Sequence, residues 1–468
     1  LGSEFSGYDA LGLAELVRTD QVTPQELVED IIRRIDALNP ELNAVIGKIY
    51  DQARRRALLV PRDGAFAGVP LVVKDNATIA GVRLTRGSRA FRDNVPEKTA
   101  PFFAAAERAG FVVVGVTNMP EMGLIDGTEN VLYGPTRNPW NLAYSPGGSS
   151  GGSAACVAAG ILPLAHGTDG GGSIRIPASH CGLFGLKASR GRLLAGSFAH
   201  ATWPRLVEGV LSRSVRDTEA FLCATEDPAT TLPKLGRISG RSSRRLKIAL
   251  TFEGMQGQAP HPEVRKAVIA AAQLCRDLGH TIVETRPPLD QAALSDAAQQ
   301  VAAIDVAKTV DAIAHARRIV PLEDHFESRA LGLREQALLK GPFDGQIAAA
   351  LPVLKEGTTT LDKFFEQWDV MLSPVVRESV FKTGMRNQAT FSFQELDDKL
   401  HDYVAYTSLH NICGTCAMSV PVHWDAAGLP LGVQFAARAG AEATLLALAC
   451  ELEEVRPWAG KRPTVFGA

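Results

Sequence analysis

The sequence has almost no net charge. Lys and Arg number 49 against 51 Asp and Glu, a formal balance of −2, which gives no electrostatic reason to wrap nucleic acid or to lie on an anionic membrane. Long apolar runs are missing too: the longest, 154–165, is broken by Gly160 and Pro163 and is too short to span a bilayer. Cysteine is sparse and odd in number. Of the seven, only Cys413 and Cys416 have CxxC spacing, with no second CxxC or His pair nearby. That argues against a disulfide framework and gives a zinc site little support, so no metal is expected and the chain reads as reduced and cytoplasmic. No signal peptide is visible, and residues 1–5 (LGSEF) read as a cloning scar.

What is present is an ordinary globular mixture, 46% hydrophobic and 21% charged over 468 residues, enough for two or three domains or one large α/β unit. Thr23 to Glu26 (TPQE) forms a capping box with Pro at the first helical position, opening a helix expected to end near Asn39 and Pro40. Val69–Val73 reads as a buried strand that delivers Lys74, followed by a helix over 99–109 and a strand over 111–116. Residues 130–153 read as a long loop, and 156–164 as a closely packed helix or strand. Further strands are expected at 247–251, 281–285, 370–372, 417–420 and 431–435, with helices at 262–278 and 442–454. This alternation argues an α/β fold, a central mixed β-sheet covered by helices on both faces. Residues 6–468 are expected to form a single large domain, with polar, irregular insertions near 225–246 and 290–410. Arg237, Arg241, Arg244 and Arg245 fall in the first of these and read as a solvated linker.

Two glycine-serine clusters, PGGSSGGS at 146–153 and GTDGGGSIR at 167–175, lie between apolar runs, where a flexible linker does not belong. Glycine density of this kind carries an entropic cost of roughly 0.5–1 kcal/mol per residue in regular structure. A nest of backbone N–H groups aimed at a negative atom is one reason to bear it. Three chemistries compete. GGSSG at 147–151 matches a G-x-S-x-G elbow literally, but polar loop rather than strand precedes it, and the partner would have to be His401, His410 or His423. Phosphate binding lacks the GxxxxGK[ST] form. In the third, Ser173 attacks a carbonyl carbon while a lysine acts as base through Ser149.

Here the sequence resembles the amidase signature family. The run from Gly147 to Lys187 (GGSSGGSAACVAAGILPLAHGTDGGGSIRIPASHCGLFGLK) is similar to its defining segment, with weaker likeness at GVPLVVKD (68–75) and GLPLGVQF (428–435). The resemblance implies Ser173 as nucleophile, Ser149 as a bridging serine after a cis peptide, and Lys74 as base. It implies Gly170, Gly171, Gly172 and Ser173 as oxyanion-hole donors, with Ser150, Asp169 and Arg175 holding the loops in shape. The family usually has a larger residue, often Thr, where this chain has Gly170. A lysine accepts a proton only when neutral. Lowering its pKa from about 10.4 to about 7 costs roughly 4–5 kcal/mol, which desolvation at the end of an apolar strand can supply.

The resemblance further implies hydrolysis of a carbon–nitrogen acyl bond without a cofactor, with side activity on esters or carbamates. Related members act on aryl and fatty amides and nylon oligomers, and one branch is the glutaminase subunit of an amidotransferase complex. The even charge points to a stand-alone enzyme for a neutral aryl- or alkyl-amide, a small-molecule substrate, and leaves room for a homodimer.

Overall fold

The computed structural model describes residues 5–196, 201–238 and 240–467; the expected scar lies outside them except for Phe5. Thr23 caps helix Pro24–Leu42 through a complete capping box: its hydroxyl accepts the Glu26 N–H at 3.2 Å while Glu26 accepts the Thr23 N–H at 2.8 Å. The helix runs past Pro40 to the buried Leu42 and closes on Asn43 in the left-handed conformation. Proline so near the end removes a hydrogen bond only from the last turn, and burial of Leu42 outweighs it.

The strands are β1 (Val45–Lys48), β2 (Pro70–Lys74), β3 (Val112–Thr117), β4 (Leu164–Asp169), β5 (Phe184–Lys187), β6 (Val207–Ser212), β7 (Lys247–Leu250), β8 (Thr281–Glu284), β9 (Val370–Pro374), β10 (Cys416–Trp424) and β11 (Pro430–Ala437). The fold is mixed α/β, but it holds two sheets rather than one. A three-stranded sheet in the order β1-β3-β2 carries Lys74 at its edge, and a mixed eight-stranded sheet runs β4-β6-β5-β10-β11-β9-β7-β8. In the large sheet, alternate residues serve opposite faces. Ile248, Leu250, Leu372, Met418 and Phe435 pack beneath helices Pro262–Asp277 and Glu442–Val455. Their neighbours Ala249, Met371, Ala417 and Ala436 pack against Gln291–Arg317 and Phe343–Gln367. This is the period of two that a doubly covered strand must show.

Residues 290–410, expected to be irregular, are largely helical: Gln291–Arg317, Ser328–Leu339, Phe343–Gln367 and Phe393–Tyr403. The first of these shows no single apolar stripe because its two halves enter different clusters. Leu294, Ala298 and Val301 face the large sheet, while Ile304, Ala307 and Val310 pack with Phe326 and Leu333. The arginines at 244 and 245 are docked rather than free in a linker; Arg244 pairs with Asp369, and Arg245 with Glu451 at 2.7 Å. No helix among the described residues is long and apolar enough to cross a membrane.

Candidate active site

Strand β2 ends in Lys74, whose side chain is fully buried. Its Nζ lies 2.7 Å from Ser149 Oγ, 2.9 Å from Ser150 Oγ and 3.0 Å from Thr168 Oγ1. All three partners are hydroxyls, and no carboxylate pairs with the amine among the described residues. Burial lowers the Lys74 pKa to about 7, opposed by the negative charges of Asp169 and Glu208. The base-competent form expected from the apolar strand is therefore accessible near neutral pH.

Ser149 is presented by a turn that ends in a cis peptide between Gly148 and Ser149. Glycine is required at 148 by close approach, since a Cβ there would lie 2.9 Å from the backbone of Asp126 and Gly127. Ser150 then ties the two glycine clusters together: its N–H donates to the Ser173 carbonyl at 3.3 Å and its hydroxyl to the Thr168 carbonyl at 3.2 Å. Ser173 is half-buried and lines the same cavity as Lys74, Ser149, Gly170 and Gly171. The Lys74–Ser149 contact is thus made, whereas no hydrogen bond joins the Ser149 and Ser173 hydroxyls.

The turn 170–173 is braced from behind. Asp169 accepts N–H groups from Gly172 at 2.8 Å and Ile174 at 3.1 Å. Arg175 grips Asp169 at 2.9 and 3.0 Å and reaches Gln434, Asn411 and the Thr407 carbonyl. Burial acts to raise the Asp169 pKa, but the Arg175 guanidinium prevails and holds the carboxyl well below its ordinary range. Neither Asp169, Arg175 nor Ser150 lines the cavity. Because the Gly172 N–H is spent on Asp169, it is not free to serve an oxyanion. Those of Gly170, Gly171 and Ser173 have no partner among the described residues. Gly172 has φ 129°, and a Cβ there would collide with Thr407 Oγ1. It keeps the turn's shape rather than supplying a donor.

Reading the residues in sequence missed a second layer. His166 accepts the Lys74 backbone N–H on Nδ1 at 3.2 Å, so its proton sits on Nε2, which lies 2.8 Å from Glu208 Oε2. Phe102 and Phe103 pack against the imidazole ring. His166 and Thr168, two residues apart on β4, both reach Lys74, and that alternation was the available signal. Of the histidines considered for an elbow, His410 is bonded to Thr415 and lies, like His423, off the cavity wall, while His401 reaches the wall but shares its Nδ1 with the Asp397 carbonyl. Ser149 follows loop, not strand, so the elbow lacks its scaffold.

A cavity of about 330 Å³ opens in front of these groups, and its wall includes Trp203, Leu206, Met255, Leu333 and Ile412. The model for the amidase family matches residues 26–446. AmiC of Mycobacterium leprae (strain TN) is 36% identical over 467 residues, covering 96% of each chain. The 6-aminohexanoate-cyclic-dimer hydrolase of Paenarthrobacter ureafaciens is 33% identical over 494 residues, covering 98% of this chain and 97% of that one. The crystal structure of a bacterial aryl acylamidase matches with a TM-score of 0.88 at 28% identity, over 98% of this chain and 100% of the other. The chain belongs to the amidase signature family. It is an amidase, a hydrolase of carbon–nitrogen amide bonds.

Proposed function

We propose that the protein hydrolyses aryl- or alkyl-amides through an acyl-enzyme on Ser173, with Lys74 as the base and acid and Ser149 as the proton bridge. The observation that carries the reading is the buried Lys74 amine, 2.7 Å from Ser149 Oγ and with its pKa brought to about 7. Neutral Lys74 takes the Ser149 proton as Ser149 takes that of Ser173. The freed Ser173 oxygen bonds to the carbonyl carbon, and the negative charge on the substrate oxygen is met by the N–H groups of Gly170, Gly171 and Ser173. On collapse, the carbon–nitrogen bond breaks and the proton returns through Ser149 to the departing amine. Water then cleaves the acyl-Ser173 ester by the same path in reverse order. An acyl-enzyme of this kind also forms from activated esters and carbamates, which are expected as secondary substrates.

Apolar residues on the cavity wall favour an aryl or alkyl acyl group, in keeping with the activities for which the aryl acylamidase and the cyclic-dimer hydrolase are named. Seven unpaired cysteines suit a reducing compartment, which supports a cytoplasmic location. The reading is tested by treating the protein with a phosphonofluoridate or sulfonyl fluoride and mapping the adduct by peptide mass. The label is expected on Ser173, with loss of amide turnover in proportion. A label on Ser149 with Ser173 unmodified overturns the assignment.

A further inference from the structure

One cation on the cavity wall has no part in the hydrolytic step. Arg205 stands two residues before β6, and its carbonyl accepts Asn411 Nδ2 at 3.2 Å. The same amide donates to the Asp169 carbonyl at 2.9 Å, so the Arg205 backbone is anchored beside the glycine turn. The next residue, Leu206, is what a Cβ on Gly170 would meet at 3.6 Å. The Arg205 side chain is half-buried and lines the cavity, yet among the described residues its guanidinium makes no ion pair and donates no hydrogen bond.

The other charged groups on the wall are engaged. Arg329 pairs with Asp397 at 2.6 Å and Asp126 with Arg386 at 2.7 Å. Lys74 is ringed by hydroxyls, and Arg86 lies over the Phe91 ring. Asp305, the acidic group nearest in effect to Arg205, already accepts the Thr202 hydroxyl at 2.5 Å and the Thr202 N–H at 3.1 Å. Burial depresses the Arg205 pKa, Asp305 opposing this and Arg190 adding to it. A guanidinium nevertheless stays charged at working pH. A charge partly withdrawn from water, with Asp305 acting on it only through space and no carboxylate among the described residues bonded to its fork, is costly to keep, and a planar fork of donors fits a carboxylate in two-point contact.

We propose that Arg205 binds a carboxylate carried by the substrate away from the scissile bond, so that the preferred amides are anionic. The inference rests on the amidase reading of the same site and names the substrate class more closely. The overall charge balance, which suggested a neutral substrate, sums over the whole surface and does not report the sign inside one cavity.

The test compares matched amides differing only in that charge. One pair is the mono-p-nitroanilide of glutaric acid and its methyl ester; the other is N-acetyl-4-aminobenzoate and its methyl ester, with cleavage of the acetamide followed by chromatography. The wild-type protein is expected to favour the acid over the ester by about 10–100-fold in kcat/KM in at least one pair, the range of one charge-assisted hydrogen-bonded contact. The preference is expected to shrink with added salt, to fall towards unity in Arg205→Gln, and to survive in part in Arg205→Lys. Equal use of acid and ester in both pairs by the wild-type protein overturns the inference without any variant, as does an undiminished preference in Arg205→Gln. Cleavage of the neutral partners alone leaves the amidase reading standing. Failure to cleave any of the amides overturns that reading instead.

Discussion

On one wall of the cavity, Lys74, Ser149 and the turn 170–173 come from short segments whose residues are spelled out in three local motifs. The rest of the lining draws on Leu206, Ser295, Asp305, Leu333 and His401, contributed by the approach to β6 and by three separate helices. The first wall is held by hydrogen bonds between buried polar groups, such as Asp169 with Arg175 and Lys74 with three hydroxyls. The second is held mainly by apolar packing of helices. The contrast teaches how this enzyme divides its tasks. On the proposed mechanism, geometry for bond cleavage is fixed by a dense polar network that tolerates little change, while the choice of substrate is left to side chains on helices that can vary one at a time.

If that division is right, changes on the two walls fail in different ways. The largest effect is expected for Ser173→Ala, which removes the proposed nucleophile while leaving Asp169 and Arg175 to hold the turn. Turnover of amides and esters alike should fall by roughly 10⁴-fold or more, with the thermal midpoint little changed. Residual activity within tenfold of wild type would return the nucleophile's role to Ser149.

Gly170→Thr probes the seam between the walls. Position 170 does not have a positive φ, and a Cβ there would make ordinary contacts with Leu206 at 3.6 and 3.7 Å. The backbone therefore accepts a side chain, and what changes is room. Bulky acyl groups should lose about tenfold more kcat/KM than acetyl, the scale of a methyl-sized steric difference in a pocket. Equal losses across acyl groups would mean that the glycine serves the turn rather than the pocket.

A smaller effect is expected at the second layer. Activity should rise with pH through about 7 as Lys74 loses its proton. Glu208→Gln keeps an acceptor for His166 Nε2 but removes a negative charge that favours protonated Lys74. The lysine should then deprotonate more easily, moving the acid limb of kcat/KM to lower pH by about half a unit. A pH profile that keeps its midpoint while only its height falls would reduce Glu208 to a structural support.

The same contrast explains what could be read in the sequence. The polar wall was legible through the resemblance of its short motifs to the amidase signature, since the residues alone left three chemistries open, and the capping box at Thr23 was legible because it is local. Strand β4 was hard to see because His166, Thr168 and Asp169 interrupt its apolar run. The helix Gln291–Arg317 was missed because its apolar residues serve two clusters and make no single stripe. Gly172 was assigned as a donor by its place in the motif, and only the position of Asp169 reveals that its N–H is already taken. Arg205 gave no signal at all, since a lone arginine before a strand is unremarkable until its neighbours are known.

The central claim is that Lys74 both receives the Ser173 proton and returns it to the leaving nitrogen. It is tested most directly by kcat/KM for a p-nitroanilide and a p-nitrophenyl ester of the same acyl group, in wild type and Lys74→Ala, below pH 8. An anilide nitrogen needs a proton to depart, whereas p-nitrophenolate leaves unaided. The account predicts that amide cleavage falls by about 10²–10⁴-fold more than ester cleavage. Equal losses for the two substrates would contradict it, confining Lys74 to activation of Ser173 or to a structural role.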